Sequence, residues 1–146
     1  MNRLHGFTLI ELMIVVVVIS ILSMIALPAY NDYVKRGKIP DATSGLASKR
    51  VQQEQFFQDS HNYVTGTGCG AAGSTDTTTS QYFDFSCTSG DNYATTYTIQ
   101  AVGKSSMTGF TYTINQSNAK ATTAVPSAAW GTAPINCWVT NKGGVC

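Results

Sequence analysis

One carboxylate stands where carboxylates are rare. Glu11 opens a run from Leu12 to Tyr30 of 19 residues without a charge. At the centre of a bilayer such a group costs about 2.5 to 3.5 kcal/mol, so Glu11 is best tolerated near the end of a span with a cation beside it. Its chemistry is ion pairing. Cys69, Cys87, Cys137 and Cys146 lie in the C-terminal half among Thr, Ser, Gly and Tyr, and an even count in a small exported domain reads as two disulfides. A metal centre would need close ligand pairs, yet no CxxC occurs and beyond His5 the only histidine is His61. A lone histidine beside Asn62 and Tyr63 at a helix end reads as a capping or packing residue.

Catalysis finds no foothold. Nucleophile, base and orienting group are not recognisable together, and no phosphate-binding glycine loop is present, so neither an enzyme nor a cofactor is expected. Charged residues make up 12% of the chain, and 9 Lys plus Arg nearly balance 8 Asp plus Glu. From Asn62 onward Lys104, Lys120 and Lys142 offset Asp76, Asp84 and Asp91, which leaves no basic stripe for phosphate-driven binding.

The elements that position these groups follow from periodicity. As a helix, 19 residues rise about 28 Å and cross the hydrocarbon once. The run is too long for an ordinary signal-peptide core and no small-residue cleavage site follows it, so it stays on the mature protein. Arg3 precedes the span while Lys35, Arg36 and Lys38 follow it, which by charge alone favours a cytoplasmic C-terminus. The cysteines argue for the oxidising side, and they decide the reading. Pro28 removes a donor and crowds the Met24 carbonyl, predicting a kink or break, with Ser20 and Ser23 near enough to satisfy freed carbonyls.

A helix is expected over 31–60, bent near Gly37 and Pro40, with Ile39, Ala42, Leu46, Ala47, Val51 and Phe57 as its buried stripe, interrupted by Arg50 and Gln53. Lys49 and Arg50 read as a solvated face, or as a contact with a neighbouring subunit. Residues 61–80 fill with Asn, Gly, Thr and Ser and read as a surface loop. From Gln81 the period is two: Phe83 and Phe85, then Tyr97, Ile99 and Ala101, then Phe110, Tyr112 and Ile114. With a fourth strand at Ile135–Val139, the sheet spans 81–140 as an antiparallel meander packed on the helix. Four cysteines allow three pairings; Cys69 with Cys87 and Cys137 with Cys146 are favoured, the latter closing a loop over 137–146. Trp130 reads as an exposed contact or, equally, as loop packing, and Trp138 as a cover for the Cys137 bridge or its strand.

The string Gly6-Phe7-Thr8-Leu9-Ile10-Glu11-Leu12 after the short basic leader Met1 to His5 resembles the prepilin signature of type IV pilins, with Pro28 and Tyr30 where that family usually has them. The resemblance implies the α+β pilin fold: a long N-terminal helix, its first half hydrophobic and membrane-spanning, packed on a four-stranded antiparallel sheet. It implies a leader of residues 1–6 cleaved by a prepilin peptidase between Gly6 and Phe7, N-methylation of Phe7, and a transmembrane and filament-core helix over 7–30 before a globular domain over 31–146. Cleavage would supply Glu11 with its cation. A free amine on Phe7, with an ordinary pKa near 8, is protonated at neutral pH and lies four residues from Glu11, on one helical face. By resemblance, Phe7, Thr8 and Glu11 serve assembly, with Glu11 of one subunit meeting Phe7 of another.

The function so implied is structural: a PilE-type pilus subunit, major or minor, for adhesion, twitching motility or DNA uptake. Its partners are other pilin subunits, the inner membrane, the prepilin peptidase, and indirectly an assembly platform and a cytoplasmic ATPase. It waits as a single-pass protein with its C-terminal domain in the periplasm of a Gram-negative bacterium, then joins an extracellular pilus. A DNA-binding or adhesive minor pilin is the alternative, although charge balance does not favour DNA; a secretion-system pseudopilin shares the same signature.

Overall fold

In the computed structural model, residues 6–65, 68–71, 73, 75–89 and 95–146 are described. The leader residues Met1 to His5 and part of the turn expected at Ser89–Asn92 lie outside them. The chain divides into two units, Met1–Val34 and Lys35–Cys146.

A single helix, α1, spans Leu9–Ser60. Thr8 starts it: the Thr8 hydroxyl accepts the Glu11 N–H at 3.2 Å, placing a capping threonine three residues before an acidic residue. The helix runs on through Pro28 and through Gly37 and Pro40, where a break and a bend were expected. A proline removes one backbone donor, which by itself does not end a helix. Ser20 and Ser23 do not reach the Met24 carbonyl as expected, but donate one turn back, to Val16 O at 2.7 Å and Ile19 O at 2.8 Å. In the first unit Leu12, Val15, Ile19, Leu22 and Ile25 are all exposed, and this stretch of α1 is long and apolar enough to cross a membrane.

In the second unit five strands form one antiparallel meander in chain order: β3 (Thr75–Asp76), β4 (Phe83–Ser89), β5 (Tyr97–Gly103), β6 (Thr111–Asn115) and β7 (Lys120–Ala124). Two short strands, β1 (Val64–Thr65) and β2 (Gly68–Cys69), pair as a separate hairpin inside the stretch expected to be loop. The period-two residues meet the helix as expected: Phe83, Phe85, Tyr97, Ile99, Ala101, Phe110, Tyr112 and Ile114 are buried with Ile39, Ala42 and Leu46. Burying one such side chain stabilises the fold by about 1.5 to 3 kcal/mol. Gly45 lets the layers close, because a Cβ there would stand 2.3 Å from the Phe85 ring.

Two expectations fail here and one open reading is decided. The fourth long strand is β7, not Ile135–Val139, which contributes only a bridge between Ile135 and Thr122. Lys120–Ala124 carries no apolar alternation; its anchor is Thr122, fully buried, whose hydroxyl donates to Cys137 O at 2.7 Å and accepts Val139 N–H at 2.9 Å. Ala47 and Val51 are exposed, and Gln53 takes the buried place on α1. Of the two readings of Trp130, packing holds: it is 2% exposed and meets Phe110 edge-on at 4.9 Å.

Candidate functional site

Two places carry chemistry, one in each unit. In the first, Glu11 is the one charged residue between Leu9 and Tyr30 and is exposed in the N-terminal turn of α1, where the helix dipole favours an anion. Gly6, Phe7 and Thr8 precede the helix. Phe7 and Glu11 therefore do not share a helical face in the uncleaved chain, because the Thr8 cap ends the helix between them. Phe7 is exposed, as is the apolar helix face of Ile10, Met13, Ile14, Val17 and Val18.

In the second unit the cations differ in their exposure. Lys49, expected on a solvated face, pairs with Asp76 at 2.7 Å and is largely buried. Arg50 is half-buried and donates to Gln116 O at 3.4 Å. Lys104 pairs with Asp84 at 2.6 Å, and Lys38 donates to Ser106 at 2.8 Å while lying 4.4 Å from the Tyr82 ring centre. The exposed cations Arg36, Lys120 and Lys142 gather at the C-terminal loop. Arg36 donates to Asn141 at 3.2 Å, Lys142 is the next residue, and Lys120 lies 4.6 Å from the Trp138 ring centre. A groove with an apolar floor runs between Pro40 and Thr43 on one side and Trp138, Thr140 and Cys146 on the other.

The loop after α1 is tied by groups that periodicity passed over. Buried Gln53 donates to Tyr63 O and accepts Ala71 N–H at 3.1 Å, clasping β1 and β2 to the helix. Glu54 accepts the Tyr63 hydroxyl at 3.0 Å and the Tyr97 hydroxyl at 2.7 Å. Burial, and then the Glu54 carboxylate, push both tyrosines above their ordinary pKa. Asp76 takes the Lys49 ammonium on one oxygen and the Thr78 and Thr79 amides, each at 3.1 Å, on the other, which holds its carboxyl well below the usual range. Cys69 is joined to Cys87, and Cys137 to Cys146. His61 closes α1: its N–H reaches Phe57 O at 2.8 Å with φ of 56°.

A family profile described as "Type IV minor pilin ComP, DNA uptake sequence receptor" matches residues 28–124, and a prokaryotic N-terminal methylation motif matches residues 1–27. The chain belongs to this type IV pilin family. Among curated relatives, the fimbrial protein EcpC of Eikenella corrodens is 46% identical over 54 residues, covering 37% of this pilin and 35% of that protein. A fimbrial protein of Neisseria meningitidis is 38% identical over 78 residues, covering 52% and 46%. The pilin thus matches less than half the length of these relatives. A type IV pilin structure from Shewanella oneidensis aligns at 16% identity and a TM-score of 0.44, over 68% of this pilin and 99% of that chain.

The structure pairs the four cysteines as the sequence reading favoured, and it adds Gln53, Glu54 and Asp76, which that reading passed over. The Thr8-x-x-Glu11 pattern was a readable capping signal. Gln53 looked like an interruption of the apolar stripe, and nothing local says that such a glutamine has backbone partners across the fold.

Proposed function

We propose that the chain is cut between Gly6 and Phe7, methylated at Phe7, held in the inner membrane by its first helix with the second unit in the periplasm, and then polymerised into a pilus. The observation that carries this reading is the exposed apolar surface of α1 from Leu12 to Leu27, interrupted by no charge after Glu11. Lipid covers such a surface in the monomer, and identical helices cover it in a filament whose head-to-tail contacts do not close. Glu11 then selects the second state by pairing with the Phe7 amine of a neighbour. Helix melting at Pro28 belongs to that packed state, since removal of lipid and contact with neighbouring helices change how its freed carbonyl is satisfied. A prepilin peptidase, an assembly platform and a cytoplasmic ATPase are the implied partners.

The mass and N-terminal sequence of the mature protein test the processing. A chain starting at methylated Phe7 supports it, whereas retained Met1 in assembled pili overturns it.

A second reading, a minor subunit that receives DNA, is supported by the family match over residues 28–124 and by the cluster of Arg36, Lys120 and Lys142. With few phosphate contacts available, the slope of log affinity against log salt should be shallow, about −2 to −3. Gel shifts of the full chain in detergent micelles, with duplex DNA at several salt concentrations, decide it: salt-insensitive or absent binding removes the reading. A minor subunit would also be scarce in sheared pili, and a dominant band would exclude that assignment.

A further inference from the structure

The two disulfides meet solvent differently. Cys69 and Cys87 are 4% and 6% exposed, and the backbone around Cys69 is held on both sides by Gln53, at Tyr63 and at Ala71. Cys137 is half-buried, and Cys146 is exposed at the rim of the groove with Pro40, Thr43, Trp138 and Thr140. Thiol–disulfide exchange needs a thiolate to reach a sulfur, so access sets which bridge opens. We propose that Cys137–Cys146 is a selectively reducible clasp that closes one side of this groove, while Cys69–Cys87 is a sealed structural bridge.

A dithiol reductant supplies both electrons. One of its thiolates attacks Cys146 Sγ, forming a mixed disulfide and releasing the Cys137 thiolate. Its second thiol, deprotonated, then attacks its own sulfur in the mixed disulfide and releases the Cys146 thiolate, leaving the reductant as a disulfide and both cysteines reduced.

The fold has anchors on the near side of the clasp that do not depend on the bridge. Thr122 holds Cys137 O and Val139 N–H, and the Tyr112 hydroxyl donates to Val139 O at 2.9 Å. Gly143 N–H reaches Ala129 O at 2.8 Å, and Thr140 N–H reaches Val145 O at 2.8 Å. Opening the bridge therefore frees Cys146 beyond the Val145 anchor, withdraws it from the groove wall beside Trp138, and leaves the aromatic core packed.

The chain has two tryptophans, and Trp130 is buried against Phe110 away from the groove, so a change in indole emission on reduction reports Trp138. The full chain in detergent micelles is treated with rising concentrations of dithiothreitol, alkylated, digested and weighed. Cys137 and Cys146 should be labelled at about a tenth of the dithiol concentration that labels Cys69 and Cys87. Emission should change at that first step, be silent in Trp138→Phe, and leave the near-ultraviolet dichroism of the core unchanged. Simultaneous labelling, earlier labelling of Cys69 and Cys87, or loss of the core dichroism at the first step would overturn the clasp. Ordered labelling with constant Trp138 emission would overturn its hold on the groove.

Discussion

Leu22, Ile25 and Leu27 are 60%, 73% and 62% exposed, whereas Ile39, Ala42 and Leu46 on the same helix are 1%, 0% and 0% exposed. Residue type does not separate the two sets. The later set meets Phe83, Phe85 and Tyr112 from a sheet encoded further along the chain, so its burial is completed within the protein. The earlier set has no such sheet, and its burial has to come from lipid or from other subunits. The comparison separates residues that stabilise the fold from residues that drive association, and a substitution in either region should move one property and spare the other.

The largest expected effect is on association. Glu11→Ala should nearly abolish recovery in sheared pili while the second unit melts unchanged, read by immunoblot and by circular dichroism in micelles. Normal piliation of that variant would break the distinction at its strongest point. The reverse case is Phe85→Ala, which leaves a large cavity between α1 and β4: it should cost about 3 to 5 kcal/mol and lower Tm by about 10 to 20 °C. Its membrane insertion, measured by flotation, should stay at the wild-type level.

Smaller effects sharpen the boundary. Gln53→Leu keeps the volume but strands Tyr63 O and Ala71 N–H, and should cost about 1 to 3 kcal/mol in chemical denaturation, with faster amide exchange at Ala71. Equal stability would mean that water replaces the glutamine. Smallest is Asp76→Asn, expected to cost about 1 kcal/mol at pH 7. Because the folded carboxyl titrates below its ordinary value near 4, its contribution is fully present above that value and is lost as pH falls from there through the folded pKa. The stability gap between wild type and Asp76→Asn should therefore narrow as pH drops from 5 toward 2. A gap constant with pH would mean that Lys49 contributes through packing on the Phe85 ring, 5.4 Å away, and not through its charge.

Sequence by itself determined the apolar character of the first unit's helix, but not its start after Thr8 or its continuity through Pro28. A helix that buries no side chain in its own chain reports its environment through composition alone, so 19 uncharged residues and one carboxylate at the N-terminal edge were legible without coordinates. It also determined the apolar faces of β4, β5 and β6, because alternation is a local property of a strand with one buried side. Tertiary structure decided what had no local period. β7 is held by one buried threonine, Trp130 is covered by Phe110, Gln53 is paid for by backbone groups of the following loop, and Lys49 meets an aspartate 27 residues away. Each depends on a partner distant in sequence, and a polar side chain carries no mark of that partner until the chain brings it within hydrogen-bonding distance.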